Sequence, residues 1–456
     1  MTRDAEALPR LGRTRGAGRG DVLELLERLD VRFLRLQFTD ITGRIKNVEV
    51  PERQFEKALD GDILFDGSAI EGFVRVEESD MVLKPDLDTF AVYPWGDPEH
   101  RIARIICDVL TAEGEAFEGD PRSVLRRQVE AAAKQGYAMK AGVEAEFFLF
   151  ARTPSGEATR DTHDAGGYFD LTPVDPGEVA RRDIVSALER MGLDVEAAHH
   201  EVAPGQHEID LRHEDALTTA DNLATFKFVA RNVALQHDLH CTFMPKPVFG
   251  QNGSGLHTHQ SLFKGEANAF HDGKAEDGIS RIMRWYVGGL LRHARAFCCV
   301  TNPLVNSYKR LVPGYEAPVH VAWSHRNRSP MVRVPARRGK GTRLELRMPD
   351  PSANPYLALA VQLAAGLDGI RRKADPPEPV DKNIFDLSVR DRRKYRVQEL
   401  PRDLGEAVDL FRKSSLMKET LGPHVFAHFV EAKESEWADY TAQVHDWEIG
   451  RYLGAY

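Results

Sequence analysis

Four stretches of this chain place acidic, histidine or arginine side chains at i, i+2 spacing with apolar residues between them. In Val143-Glu144-Ala145-Glu146-Phe147 the two carboxylates must share one face of any extended strand, because successive side chains point to opposite sides. The same holds for Glu208, Asp210 and Arg212 against Ile209 and Leu211, for His257, His259 and Ser261 against Leu256 and Leu262, and for Arg343, Glu345 and Arg347 against Leu344 and Leu346. A solvated sheet face also alternates, but Lys, Thr and Ser normally fill it. Carboxylate, imidazole and guanidinium on four strands argue instead for a funnel that holds cations and anions together.

Glu144, Glu146, Glu201, Glu208 and Glu345, with one imidazole, His257, form a donor set dominated by hard oxygen, which suits Mg²⁺ or Mn²⁺ and not zinc. Five carboxylates call for more than one ion, since burying that much like charge without cations is costly. His200-Glu201 ahead of His207 offers a superficial zinc-protease motif, but the spacing is too long and Pro204-Gly205 breaks any helix between them. His199, His200 and His207 equally suit a satisfied core. Arg310, Arg326, Arg328, Arg333, Arg337, Arg338, Arg343 and Arg347 crowd one span, where guanidinium forks suit phosphate and carboxylate oxygens. Arg343 and Arg347 alternate in step with Glu345, which puts the anion site beside the metals. There is no P-loop and no GxGxxG after a strand, so a nucleotide would be held by metals and arginines and not by a helix N-terminus. Asn252-Gly253-Ser254-Gly255 lets a backbone or ligand approach closely.

The elements that must position these groups divide into two parts. At 456 residues the chain exceeds one comfortable core, which predicts two domains. Hydrophobic content of 42% and charged content of 29% are those of an ordinary soluble enzyme. A net charge of -9 gives no reason to expect nucleic-acid binding, and no stretch is long and apolar enough to span a membrane. Residues 1–20, rich in Arg and Gly without an apolar run, read as a disordered tail and not as a signal peptide. Cys107, Cys241, Cys298 and Cys299 form no CxxC pair, so neither a disulfide framework nor a zinc ribbon is expected, and the cytoplasm is the expected compartment. From residue 21 to 118 a helix at Val22 to Leu29 and strands at Phe33 to Phe38, Ile45 to Val50, Phe90 to Tyr93 and Ala103 to Val109 make a small mixed domain. The boundary falls at Glu118 to Pro121, where Asp120 caps a helix that ends at Gly136. In residues 119–456, further helices are expected from Asp175-Pro176 to Gly192, from Asp215 to about Gln236 and from Asn354-Pro355 to about Lys373.

At these residues the chain resembles class I glutamine synthetase, over nearly everything from Val22 to Tyr456. FDGSAIEGF (65–73), EAEFFLF (144–150), HHEVAPGQHEIDLR (199–212), NGSGLHTH (252–259), NSYKRLVPGYEAP (306–318) and RLELRMPDPSANPYLA (343–358) are similar to that family's motifs, in its order. The resemblance implies an α+β architecture: a small β-grasp-like N-terminal domain and a C-terminal catalytic domain with an antiparallel sheet backed by helices. It implies twelve subunits in two stacked hexameric rings with shared active sites. It implies ATP-dependent joining of ammonium to the γ-carboxylate of glutamate, with two or more Mg²⁺ or Mn²⁺ ions per site. By the same resemblance Glu146, Glu201 and Glu208 bind one metal, and Glu144, His257 and Glu345 the other. Arg310, Arg328 and Arg347 match substrate-binding arginines, Asn252, Gly253 and Tyr168 the rest of the substrate site, and Arg333, Arg343, His259, Ser261 and His213 the ATP site. Asp66, donated by a neighbouring subunit, accepts a proton from ammonium, and Glu316 closes a flap over the intermediate.

Two departures from the family pattern and one branch-specific match matter. Ala69 stands where the family usually has a second Ser, removing one hydroxyl near the ammonium pocket. Phe385 replaces the tyrosine that one branch adenylylates, so that modification is impossible there. Arg75 lies in a segment resembling the alpha-type, unadenylylated branch, in which an arginine couples bound glutamine to the inactive state. The competing readings are a γ-glutamyl–amine or polyamine ligase using the same phosphorylated intermediate, and a non-catalytic glutamine-sensing regulatory protein.

Overall fold

The computed structural model describes residues 14–68, 70, 72, 80–382, 384, 387–395 and 397–456. Ala69, Arg75 and Phe385 lie outside the described residues, as do the first thirteen residues of the expected tail.

The N-terminal part is one five-stranded sheet in the order β2-β1-β5-β4-β3, made of β1 (Phe33–Thr39), β2 (Ile45–Pro51), β3 (Ile63–Asp66), β4 (Asp80–Val92) and β5 (Ile102–Thr111). Only β1 and β5 run parallel. The strand expected at Phe90 to Tyr93 is the end of the long β4, and Asp66 terminates β3, which the alternation rule did not find. The first helix begins at Arg19, three residues earlier than expected, and the chain just before it is already held, with Thr14 Oγ1 donating to the Leu87 carbonyl at 2.7 Å.

The larger part carries β6 (Ala138–Arg152), β7 (Ala158–Thr162), β8 (Val195–His200), β9 (Gln206–Asp215), β10 (Leu239–Thr242), β11 (Leu256–Lys264), β12 (Ala267–Asn268), β13 (His320–Val321), β14 (Trp323–Ser324), β15 (Val332–Arg333), β16 (Leu344–Leu346) and β17 (Gln398–Glu399). Its main sheet runs β14-β15-β16-β11-β6-β9-β8, with β7 and β10 also on β6 and β12 on β11. All its pairings are antiparallel except β14 with β15.

Helix signals read from the sequence hold where a side chain caps the first turn. Asp120 accepts from the Arg122 and Ser123 amides ahead of Pro121–Lys134, Asp215 from the Thr218 amide ahead of Ala216–Gln236, and Asn354 from the Tyr356 and Leu357 amides ahead of Pro355–Arg372. The helix expected from Asp175 begins at Glu178 instead, because the buried Asp175 carboxylate is taken by Arg181 Nη1 at 2.7 Å and caps nothing.

On the apolar face of β6 and β9, Val143, Ala145, Phe147, Leu149, Ile209 and Leu211 pack against the helices Glu178–Arg190 and Ala216–Gln236. Each such fully buried Leu, Ile or Phe contributes about 1.5–3 kcal/mol. That core fixes which way the alternate side chains point.

Candidate active site

Because the pairing is antiparallel and in register, charged residues that are far apart in sequence stand in rows across the sheet. Glu146 on β6 lies opposite Glu208 on β9, which lies opposite His199 on β8. Glu144 lies between Asp210 on β9 and His257 on β11. His259 lies opposite Glu345 on β16, and Glu345 opposite Arg333 on β15. The four alternating stretches therefore do share one sheet.

These rows line a cavity of about 1040 Å³. It brings together Glu144, Glu146, Glu201, Glu208, His257, Glu345, Asn252, Gly253, Tyr168, Arg310, Arg328, Arg333, Arg347 and Glu316. His259, Ser261, Arg343 and His213 do not line it: His259 and Ser261 lie further along β11, His213 on β9, and Arg343 just before β16. His259 Nε2 lies 2.6 Å from Glu144 Oε1, and Arg343 Nε donates to His259 Nδ1 at 3.1 Å. His213 packs beside Gly142, the residue opposite His259, where an added Cβ would come 3.3 Å from the His213 Cβ. Asp66 is exposed at the tip of β3 and is absent from the cavity of its own chain. Its carboxylate is held below the usual range by the Ser68 side chain and amide.

The carboxylates crowd one another. Burial first, and then the charges of Glu146 and Glu208, push Glu201 up to about 8. Burial with Glu146, Asp210 and Glu144 pushes Glu208 up to about 10, and burial beside Glu144 pushes Asp210 up to about 6. Such carboxyls ionise together only beside cations. Ligand atoms of Glu144, Glu208 and His257 lie within 4.8 Å of one another, as do those of His199, Glu201 and Glu208. This oxygen-rich set fits hard divalent ions, with Glu208 common to both groups. The sequence reading had placed Glu208 in one group only.

Glu144 and Glu345 behave differently. Burial would raise Glu144, but hydrogen bonds from His257 and His259 outweigh it and hold the carboxyl well below its usual range. Burial also acts against Glu345, yet Arg347 with the two histidines draws it down to about 2. Arg333 Nε donates to Glu345 Oε2 at 2.5 Å, and Arg347 Nη1 donates to Oε1.

Arg310 is fully enclosed and spends its guanidinium on main chain, with Nη1 2.8 Å from the Met348 carbonyl and Nη2 3.2 Å from that of Arg347. It braces the arginine strand from behind as well as reaching the cavity. Gly253 fits only as glycine, since a Cβ there would meet the Pro245 carbonyl at 2.4 Å. Its neighbour Gly255 donates its amide to Glu146 Oε2 at 2.8 Å. Asn252 Nδ2 reaches Glu316 Oε2 at 3.4 Å, linking two loops that line the cavity, and Glu316 adopts φ 59°, a left-handed backbone rare for a non-glycine residue.

Residues 200–207 form a hairpin and no helix, with His200 opposite His207. Among the cavity residues that sequence reasoning missed are three polar ones on the carboxylate wall: His199, whose Nε2 lies 3.0 Å from Glu208 Oε1; Gln206, whose amide donates to Glu146 Oε2 at 2.9 Å; and Asp210. Asp210 stood in the i, i+2 pattern and was assigned no role. Gln206 carried no signal of its own.

Residues 118–452 match the family model described as the glutamine synthetase catalytic domain, and residues 30–112 that of the glutamine synthetase beta-Grasp domain. The chain is 60% identical over 445 residues to the glutamine synthetase of Thermus thermophilus, covering 97% of this chain and 100% of that one. It is 53% identical over 437 residues to that of Staphylococcus aureus, covering 96% and 98%. The solved structure of a GmaS/ADP complex superposes with a TM-score of 0.86 at 34% identity, over 95% of this chain and 100% of that one. The cryo-electron-microscopy structure of Plasmodium falciparum glutamine synthetase, 24% identical with a TM-score of 0.85 over 96% and 99%, shares the fold.

Proposed function

This chain belongs to the glutamine synthetase family, and we propose from that membership and the charged funnel that it is a glutamate–ammonia ligase. ATP converts the γ-carboxylate of L-glutamate to γ-glutamyl phosphate, and ammonia displaces phosphate to give L-glutamine, ADP and phosphate. The carrying observation is that Glu345 joins the carboxylate cluster to the arginine cluster inside one cavity. Phosphoryl transfer to a carboxylate needs that juxtaposition of cation-binding and anion-binding groups.

Glu146, Glu201 and Glu208 would hold one Mg²⁺ or Mn²⁺, and Glu144, His257 and Glu345 another; when bound, the ions neutralise phosphoryl oxygens. Arg333 and Arg343 grip nucleotide phosphates beside His259, Ser261 and His213. Arg310, Arg328 and Arg347 orient the γ-carboxylate, with Arg310 also holding the Arg347 main chain, and Asn252, Gly253 and Tyr168 hold the rest of glutamate. Asp66 from a neighbouring subunit takes a proton from ammonium, which is not a nucleophile until deprotonated. Glu316 closes the flap, excluding water that would hydrolyse the acyl phosphate.

The division into a 21–118 N-terminal domain and a 119–456 catalytic domain is supported by the limits of the two family matches. A dodecamer of two hexameric rings is supported by Asp66, exposed and away from its own cavity. It is supported also by Trp447, Ile449, Tyr452 and Leu453, exposed on or beside the helix Asp446–Tyr452. Free, buried cysteines suit the cytoplasm. We place the chain in the alpha-type branch, with feedback inhibition by glutamine through Arg75. Phosphate release from glutamate and ATP, run with ammonium, with polyamines and with neither, tests the activity. Release driven by ammonium alone is expected; equal release with polyamines would make it an amine ligase, and none at all a binding protein.

A further inference from the structure

Asp66 ends β3, and the chain beyond it is tied down within a few residues. Asp66 Oδ1 accepts from the Ser68 amide at 2.8 Å, and the Ile70 amide donates to the Gly67 carbonyl at 3.1 Å. Just before Asp66, the Phe65 ring lies against that of Phe38, with centroids 4.8 Å apart. Six residues after Asp66, Gly72 meets the catalytic domain.

Gly72 is held from two sides. His424 Nε2 lies 2.8 Å from its carbonyl oxygen, and since a carbonyl only accepts, Nε2 carries the hydrogen. On the other side Gly72 touches the buried Ile41, so closely that a Cβ would come 2.4 Å from Ile41 Cδ1. Ile41 belongs to the turn between β1 and β2. That turn lies at the same end of the sheet as Asp66, because β1 runs with β5, β4 runs against both β5 and β3, and β3 therefore runs with β1. The turn is itself fastened to the catalytic domain. Asn354 Nδ2 donates to the Asp40 carbonyl at 3.0 Å and to the Ile41 carbonyl at 3.3 Å, while its Oδ1 caps the helix Pro355–Arg372.

Neither His424 nor Asn354 lines the cavity. His424 comes from the helix Ser415–Thr441, where Gly422, with φ 80°, and Pro423 break the regular backbone just before it. Its ring meets Phe117 edge-on at 5.0 Å and lies beside Gly119, where a Cβ would come 2.9 Å from His424 Cδ2. Phe117 and Gly119 flank the boundary between the two parts of the chain, so the ring is wedged at the joint and its hydrogen bond crosses it.

We propose, resting on the shared site of the proposed function, that His424 and Asn354 are positioning residues for the neighbouring subunit's reaction. Together they fix Gly72 and the turn beneath it to their own catalytic domain, and so aim Asp66 across the subunit boundary. A general base contributes about 10²–10⁴-fold only within hydrogen-bond reach of its proton, so a displaced Asp66 lowers the rate while every funnel stays intact.

The test uses full-length chains, alone and co-assembled. His424→Phe keeps a ring against Phe117 but cannot donate. Asn354→Asp keeps the helix cap but turns an oxygen toward the two carbonyls. Each alone is expected to lower ammonium-driven ligation by at least about tenfold, within the range a general base supplies. In verified mixed oligomers with Glu201→Gln, each should regain activity, because the intact Asp66 segment of one chain meets the intact funnel of the other. Mixed with Asp66→Ala, each should stay at its low rate, because no chain then offers a well-aimed Asp66. Asp66→Ala with Glu201→Gln is the reference cross. Rescue by Asp66→Ala, or none by Glu201→Gln while the reference cross works, would overturn the inference by placing the damage in the variant's own funnel. Wild-type rates in both single variants would overturn it as well. Failure of the reference cross would overturn the shared site itself, and this inference with it. The two variants lie on different segments, so if one fails to assemble the other decides.

Discussion

Glu345 on β16 and Arg347 just past its end bind each other through Oε1 and Nη1, so a guanidinium of the arginine cluster and a carboxylate of the acidic cluster form a single unit. Arg333 grips the other carboxylate oxygen. Arg347→Lys keeps the charge but loses the fork, and Glu345 would then be held from one side only. Steady-state kinetics should show kcat lowered about a hundredfold, or about 2.7 kcal/mol of transition-state stabilisation, with a smaller change in the KM for ATP.

Glu201→Gln preserves shape and removes one charge from the crowded wall. It should abolish ATP-dependent ligation in saturating Mg²⁺ while gel filtration shows the same assembly as wild type. More than a few per cent of activity would count against Glu201 as a ligand.

Asp66→Ala and Glu201→Gln, each inactive alone, should regain activity when co-assembled. A mixed boundary can combine an intact Asp66 from one chain with an intact funnel from the next. Mixed oligomers verified by mass spectrometry and still inactive would contradict a shared site.

Lys227 is enclosed in the helix Ala216–Gln236, with Nζ donating to the Ala353 carbonyl at 3.0 Å. Burial, aided by Arg231 and opposed by Asp350, lowers it to about 7. The unfolded chain keeps this proton to about 10.4 and the native one does not, so the unfolded state binds more protons in that window and stability rises with pH. Melting curves of wild type against Lys227→Met should therefore shift in favour of wild type from pH 7 to pH 9.5.

Arg75 lies outside the described residues, and its role rests on the resemblance. Arg75→Ala should raise the glutamine concentration for half-inhibition tenfold or more, about 1.4 kcal/mol, with the uninhibited rate little changed. An unchanged inhibition curve would remove it from regulation.

What the sequence revealed and what it hid divide along local and non-local lines. The shared face of Glu144 and Glu146, and the caps at Asp120, Asp215 and Asn354, follow from neighbours a few residues away. The placing of His199 and Gln206 against Glu208 and Glu146 depends on which strands pair, and the resemblance, not the periodicity, carried Glu201 to that wall. Asp175 shows the limit of a local rule: it sat where a cap belongs, and a buried arginine six residues on claimed it.

The alternation of β6 also acts as a lock on position. A slip of one residue between β6 and β11 would turn Glu144 and Glu146 into the space filled by Phe147 and expose Phe147 to water. Misalignment is thus rejected during folding, before any substrate arrives. The hydrophobic layer behind the funnel serves as its ruler: trimming that layer should blur catalysis while the chain still folds.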